Sequence, residues 1–330
     1  MNSIRFGVIG TNFITDWIIA GGIQDERFEL VAVYSRKQET ADAFAARHGI
    51  PHTFTSLEAM AASPLIDAVY IASPNAQHAS QSIIFMEHGK HVLCEKAFAS
   101  NAREVREMIS AARSNGVALM EAMKPTLTPN FLAAREAIQK IGAIRRYFSC
   151  YCQYSSRYDK FREGITLNAF NPELSNGALH DIGVYTVYPM VVLFGRPQTV
   201  KAAGFKLSSC VDGEGSAVFS YPTMDAAVIY SKIADSSLPT EIQGEDGNIT
   251  FDRINIISEV NLHFRDGKTE LLSHPTTHNE YYYEIKEFID IIQSGKQESS
   301  VNSWENSLIT MEIMDEIRRQ LSVVYPADKK

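Results

Sequence analysis

At 330 residues the chain is long for one hydrophobic core, and 45% hydrophobic residues supply enough apolar side chains for two packed domains. A formal net charge of -8 leaves no basic footprint, which argues against nucleic acid and anionic membranes as partners. The four cysteines, Cys94, Cys150, Cys152 and Cys210, lack the spacing of a zinc or redox motif, so free thiols in a reducing compartment and no metal site are expected.

Met1-Asn2-Ser3-Ile4-Arg5-Phe6 runs straight into a strand without the pattern of a secretory signal, and no apolar stretch reads as long enough to span a bilayer. A cytoplasmic protein is the expectation. From Ile4 to Glu121 short apolar runs alternate with amphipathic segments, the pattern of βαβ units and a parallel sheet. Strands are predicted at Ile4–Ile9, Leu30–Tyr34, His52–Phe54, Ala68–Ala72, His91–Cys94 and Ala118–Glu121. Helices are predicted near Thr15–Gln24, Gln38–His48, Ala76–His88 and Ala102–Asn115, with Gly49, Gly89 and Gly116 placed as C-terminal caps for three of them.

After Met123 the pattern changes. Thr128-Pro129 pairs a capping threonine with a proline at the first helical position, predicting a helix to about Ile141. A long strand, Arg145–Tyr154, precedes an aromatic and polar loop and an apolar helix from about His180 to Phe194. Short strands fill Thr199–Leu272, with turn signals at Asp212-Gly213, Asp246-Gly247 and Asp266-Gly267. Two amphipathic helices, near Glu280–Ser294 and Ser303–Gln320, end the chain. The expected architecture is α/β: a dinucleotide-binding Rossmann domain with a parallel sheet over 1–122, then an α+β domain with a large, mostly antiparallel open sheet over 123–330.

The chemistry-bearing residues cluster at predicted strand ends, where open parallel sheets bind their ligands. The first strand leads into Gly10-Thr11-Asn12-Phe13-Ile14-Thr15, a departure from G-x-G-x-x-G/A in which Asn12 stands for the second glycine. Asparagine tolerates the left-handed conformation, and the helix start would still offer amides to a pyrophosphate. The second strand ends in Ser35-Arg36-Lys37, with no acidic residue for the ribose hydroxyls. A hydroxyl and two cations suit the extra phosphate of NADP, with NAD as the alternative.

Ser73-Pro74-Asn75-Ala76-Gln77-His78 follows the fourth strand; Asn75 is placed to cap the next helix, and His78 to bond either backbone or cofactor. Glu95-Lys96 ends the fifth strand, a cation at the ligand-binding edge. In the second domain, Asp181 and Tyr185 are four residues apart, a spacing that puts both on one helical face and suits a proton relay. Tyr282-x-x-x-Lys286 matches the spacing of short-chain dehydrogenases, but its place in a C-terminal amphipathic helix argues for ordinary helix residues.

Together the Gly10 turn, Ser73-Pro74-Asn75-x-x-His78, Gly89-Lys90-His91-Val92-Leu93-Cys94-Glu95-Lys96 and Gly177-Ala178-Leu179-x-Asp181-Ile182-Gly183-x-Tyr185 resemble the glucose-fructose oxidoreductase, inositol dehydrogenase and rhizopine-catabolism family, Gfo/Idh/MocA. The resemblance covers nearly the whole chain. It implies an NAD(P)-dependent oxidoreductase that moves a hydride between nicotinamide and the hydroxyl or carbonyl carbon of a sugar, sugar derivative, polyol or trans-dihydrodiol. Lys96, Asp181 and Tyr185 are then the catalytic candidates. Gly10, Thr11, Asn12, Phe13, Ile14, Ser35, Arg36, Ser73, Pro74, Asn75, His78, Glu95 and Lys96 are the cofactor-binding ones. Tyr185, where inositol dehydrogenase-like members carry histidine, looks like the glucose-fructose oxidoreductase and dimeric dihydrodiol dehydrogenase branch. That shifts the expected substrate towards aldoses, their derivatives or trans-dihydrodiols.

The family implies a homodimer or homotetramer formed through the C-terminal sheet. Three departures stand out: Asn12, Asn176 within a later glycine run, and Ala97 where the family usually has proline. Alanine strongly favours a trans peptide, so Lys96 is expected either to be oriented differently or to keep the family's bend through tertiary contacts. Near an oxidised nicotinamide the ammonium form of Lys96 would be disfavoured, which suits acid–base work. A catalytically silent dinucleotide-binding sensor of the same fold is the alternative that these departures raise. Tyr154, Arg157, Tyr158, Lys160, Arg162 and Asn168 form the loop expected to meet a polar, hydroxyl-rich ligand, with a solvated loop or an oligomer contact as equal alternatives.

Overall fold

The computed structural model describes residues 3–329. They form two compact units: the first holds the residues up to Lys124 together with Thr277–Ser307, and the second holds Pro125–Thr276 and the residues from Leu308 onward.

Six parallel strands build the first unit: β1 (Ile4–Ile9), β2 (Phe28–Tyr34), β3 (His52–Phe54), β4 (Ala68–Ile71), β5 (His91–Glu95) and β6 (Leu119–Ala122), in the order β3-β2-β1-β4-β5-β6. Val69, Tyr70, Ile71, Val92, Leu93 and Cys94 are all buried, as expected of strands covered on both faces. The connecting helices are α1 (Phe13–Gly22), α2 (Gln38–His48), α3 (Leu57–Ala61), α4 (Asn75–Glu87) and α5 (Ala102–Asn115). Gly49 and Gly116 end α2 and α5 at φ near +67° and +66°, a conformation that costs glycine no steric penalty. The short α3, capped by Ser56, has no counterpart in the sequence reading, because five residues are too few to show a helical period.

The sequence boundary put everything after 122 in the second domain, whereas Glu280–Gln293 (α9) packs in the first unit. Its Phe288 lies 6.2 Å, ring to ring, from Phe6 of β1, and Arg27 bridges Asp25 to Asp290 of α9. A Cβ on Gly21 of α1 would meet the Tyr281 backbone at 2.7 Å, so glycine there permits the close approach of α9. Ile285, Phe288 and Ile289 are fully buried, each contributing about 1.5–3 kcal/mol. Amphipathic periodicity shows that a helix has a buried face, but not which layer covers it.

The second unit carries an eight-stranded sheet made of β7 (Ile144–Cys152), β8 (Thr199–Lys206), β9 (Asp212–Ser220), β10 (Asp225–Ser231), β11 (Thr240–Gly244), β12 (Gly247–Phe251), β13 (Val260–Phe264) and β14 (Thr269–Leu271). The order is β14-β13-β12-β11-β7-β10-β9-β8, and only β7 and β10 pair in parallel. Thr128 caps α6 (Pro129–Ala137) through its hydroxyl, as its sequence predicts. Asp212-Gly213, read as a turn, opens β9 instead; both residues are buried in the strand. The Asp246-Gly247 and Asp266-Gly267 signals do sit at the β11–β12 and β13–β14 connections. The remaining helices are α7 (Tyr158–Arg162), α8 (Val184–Phe194) and α10 (Trp304–Leu321), the last crossing the boundary between the units.

The sequence reading found no span long enough for a bilayer, yet Pro172–Phe194 passes that test by length and composition. The run is 72% buried over its most apolar window, and α8 within it covers one face of the sheet at β7 and β10. That is the composition of a buried core helix.

Candidate active site

In the first unit the predicted cofactor residues line one edge of the parallel sheet. Gly10 to Ile14 leave the carboxyl end of β1, Ser35 and Arg36 that of β2, Ser73 to His78 that of β4, and Glu95 and Lys96 that of β5. The strand order reverses between β1 and β4, the point where open α/β sheets bind ligands. Gly10 has φ +103°, and a Cβ there would lie 2.7 Å from the Ala72 carbonyl oxygen. Only glycine makes that turn without strain.

Asn12 does not use the left-handed conformation that the sequence reading gave it. Its φ is -101°, and it caps α1: its Oδ1 accepts from the Ile14 N–H at 2.9 Å while its Nδ2 donates to the Ala72 carbonyl at 3.3 Å. Side-chain capping thus ties the β1 and β4 turns together, takes up the Ile14 amide, and leaves the other first-turn amides of α1 at the helix start. Asn75 is likewise the first residue of α4, with Pro74 at the cap.

Two observations fit a dinucleotide. The Ser73 Oγ is shielded from solvent with no hydrogen-bond partner among the described residues. Arg36 and Lys37 are exposed, and neither makes an ion pair with the described residues, so their charge is available to a phosphate.

The Lys96-Ala97 peptide is cis, where alanine was expected to favour trans. Tertiary contacts hold the segment. His78, 1% exposed, points Nδ1 at the Ala97 carbonyl (2.9 Å) and Nε2 at the Ser73 carbonyl (2.8 Å), which joins the β4 turn to the lysine segment. Burial lowers the pKa of His78, and a neutral imidazole donates to only one of these two oxygens. The Phe98 N–H donates to Glu121 Oε1 at 3.2 Å. Glu95 faces inward: its Oε1 accepts from the Tyr70 hydroxyl at 2.6 Å, and its Oε2 from the Lys96 N–H at 3.2 Å.

Behind this edge lies an acidic group that sequence reasoning missed. Burial pushes the Glu121 carboxyl up to about 8. Glu284 of α9 is fully buried, neither carboxyl oxygen has a partner among the described residues, and burial followed by the charge of Glu95 raises its pKa well above the ordinary value. Lys124 pairs with Glu280 and lies 4.4 Å from the centre of the Tyr281 ring. A glutamate inside the apolar strand Leu119–Ala122 was the available signal for Glu121; for Glu284, the signal was its place on the apolar face of α9. Tyr282 stacks on His278 and Lys286 pairs with Asp290, the ordinary helix roles expected of them.

In the second unit, Asp181 and Tyr185 belong to one helical run whose first turn, Leu179–Gly183, is a π turn and not the regular α-helix expected from His180 onward. The cause is local. Asp212 Oδ2 accepts from the Leu179 N–H at 2.6 Å, and a Cβ on Gly183 would meet the Tyr230 ring at 3.0 Å. Strand and helix start are thereby drawn together, and π turns are frequent at functional sites. The Tyr185 ring meets Tyr151 of β7 edge-on at 5.7 Å, and Asp181 forms an ion pair with Lys232. Burial pushes the Asp212 carboxyl up to about 6, against the Leu179 N–H that favours its charged form.

The loop residues pair mostly with one another. The Tyr154 hydroxyl donates to Asp159, Lys160 pairs with Glu163, and Arg162 lies 3.8 Å from Asp159. Tyr158 and Phe161 anchor the loop on buried Phe170. Arg157 and Asn168 are exposed. All four cysteines are free, with Cys150 and Cys152 on one side of β7.

A parallel sheet with this reversal and a glycine turn at its first strand have the form of a dinucleotide-binding fold. Residues 4–123 match the oxidoreductase family with an NAD-binding Rossmann fold, and 131–250 match the GFO/IDH/MocA C-terminal domain. The chain belongs to the Gfo/Idh/MocA family of oxidoreductases. It is 55% identical to the NADP-dependent scyllo-inositol 2-dehydrogenase IolU of Bacillus subtilis, over 99% of each chain. It is 30% identical to a trans-1,2-dihydrobenzene-1,2-diol dehydrogenase of Danio rerio, over 99% of this chain and all of the other. The fold is shared with the aldose-aldose oxidoreductase of Caulobacter crescentus, with TM-score 0.86 at 19% identity over 97% of this chain and 98% of that one.

Proposed function

We propose that the protein is an NADP-dependent dehydrogenase of polyols, with scyllo-inositol or a close stereoisomer as substrate. The observation that carries this reading is the 55% identity, end to end, with an NADP-dependent scyllo-inositol 2-dehydrogenase. Tyr185 pointed towards aldoses and dihydrodiols; the identity moves the first choice to an inositol, and sugars and trans-dihydrodiols follow it.

The Gly10 turn and the first amides of α1 hold the pyrophosphate, with Thr11, Asn12, Phe13 and Ile14 shaping that loop. Ser35 and Arg36 receive the 2′-phosphate. Ser73, Pro74, Asn75, His78, Glu95 and Lys96 support the nicotinamide end. NADP, when bound, supplies the hydride acceptor. Tyr185 and Lys96 exchange the proton of the substrate hydroxyl, and Asp181 orients the relay. The enzyme works in the cytoplasm as a homodimer or homotetramer. The uncovered face of the C-terminal sheet supports this assembly, because Phe205 of β8 and Val218 of β9 lie exposed on that one face.

The test is NADPH formation by the purified protein with scyllo-inositol, myo-inositol, D-glucose, D-xylose and a trans-dihydrodiol, each with NADP and with NAD. Highest kcat/KM for an inositol with NADP is expected. A protein that binds NADPH yet oxidises none of these would overturn the proposal and favour a dinucleotide sensor.

A further inference from the structure

Lys232 directly follows β10 and continues the row of residues, Ala226, Val228 and Tyr230, that face the helical layer of the second unit. It is 3% exposed. Its ammonium pairs with Asp181 Oδ2, lies 3.5 Å from the Ala169 carbonyl oxygen and 5.1 Å from the centre of the Phe170 ring. The backbone of Lys232 is fixed as well: its N–H donates to the Gly213 carbonyl at 2.9 Å, and its carbonyl accepts from the Ser155 N–H at 2.9 Å.

Through Asp212 it is linked to a group of ionisable side chains from four elements. Asp212 of β9 carries a buried carboxyl whose charged form Lys232 favours. Tyr230 precedes Lys232 in the inward row, and its buried hydroxyl has no partner among the described residues. His180 of the π turn lies 3.3 Å from the Tyr325 hydroxyl, and Arg318 of α10 pairs with Asp315 and Asp328. Packing alone does not call for an ammonium in this position. Replacing a buried ion pair by apolar side chains of similar volume is often neutral or stabilising, so its energy contribution does not explain the pair.

We propose that Lys232 is a positioning residue for the reaction, holding the Asp181 carboxylate in a single orientation and in its ionised form beneath the π turn. This rests on the reading of Asp181 as part of the proton relay. With Lys232 in place Asp181 accepts hydrogen bonds and does not serve as the proton donor; the donor is left to Tyr185 or Lys96.

The experiment is a double-mutant cycle on the full-length enzyme, with kcat/KM for its best polyol and NADP measured against pH for wild type, Lys232→Met, Asp181→Asn and the double variant. NADPH binding and circular dichroism report folding. Lys232→Met should lose activity by about 10²-fold, as expected for a misplaced catalytic group, and should move the acid limb of the profile to higher pH because Asp181 is then easier to protonate. In the Asp181→Asn background the same substitution should cost little more. If Lys232→Met does not retain NADPH binding, Lys232→Gln carries the same comparison without the charge. Losses that multiply in the double variant, or an unshifted acid limb in the single one, overturn the proposal. An Asp181→Asn enzyme with full activity instead overturns the reading of Asp181 on which it rests.

Discussion

Replacing Glu121 by glutamine should remove one distinct part of the pH-dependent loss of stability that the buried carboxyls give the wild-type protein. Glu121 is 2% exposed on β6, and burial pushes its carboxyl up to about 8 from an ordinary 4.5. The Ser307 hydroxyl and the Phe98 N–H favour its charged form but do not offset that burial. Because the folded-state pKa is raised, the folded protein binds more protons than the unfolded chain between the two values, and stability falls as pH rises through that window. The slope is about 1.4 kcal/mol per pH unit, which amounts to about 3 kcal/mol by neutral pH and about 4 kcal/mol between about pH 5 and about pH 8. Glu121→Gln keeps the oxygen that accepts from Phe98 and does not titrate. Urea unfolding of both proteins, followed by a probe in the first unit, should therefore show the variant gaining on wild type by that amount across the window. A stability difference that stays constant from about pH 5 to about pH 8 would refute the assignment of a neutral buried carboxyl at Glu121.

Arg36→Ala should weaken NADPH binding by about 10- to 100-fold, the value of a hydrogen bond to a charged group, and leave NADH binding nearly unchanged; fluorescence titration with each cofactor checks both. Gly10→Ala places a Cβ against the Ala72 carbonyl at a φ of +103°, and should cost about 1–3 kcal/mol and abolish tight NADPH binding, read by thermal melts with and without the cofactor. Tyr185→Phe should lower kcat by about 10²-fold or more with little change in NADPH affinity, measured in steady state with the best polyol.

Regular repetition made the first unit easy to read. Each parallel strand is a short apolar run followed by a turn residue, and the αL glycines mark the ends of α2 and α5. The features that escaped the sequence depend on what lies opposite in space. Asn12 can take either the left-handed or the capping conformation, and the Ala72 carbonyl opposite it favours the cap. The π turn at Leu179–Gly183 follows from Asp212 and Tyr230, which lie about thirty to fifty residues further along the chain. Asp212-Gly213 has the composition of a turn, but Asp212 pairs with Lys206 of β8 and the Gly213 carbonyl accepts from the Lys232 N–H just past β10, which makes the pair the start of a strand.

Candidate site residues followed the same division. Lys96, Asp181 and Tyr185 stand in short motifs that can be recognised from spacing. Lys232 and Glu284 have no motif, only an ionisable side chain at a position whose periodicity calls for an apolar one. The alternation from Ala226 to Tyr230 was the signal for Lys232, and it is visible only once the inward face of β10 is known.

The account turns most directly on Lys96→Met, assayed for NADPH binding by fluorescence and for NADP-dependent oxidation of scyllo-inositol beside wild type. Wild type should turn over scyllo-inositol, and the variant should bind NADPH as wild type does while its turnover falls by about 10²- to 10⁴-fold, the contribution of a positioned acid–base group. Full turnover by Lys96→Met would contradict the role assigned to this lysine and, with it, the proton relay.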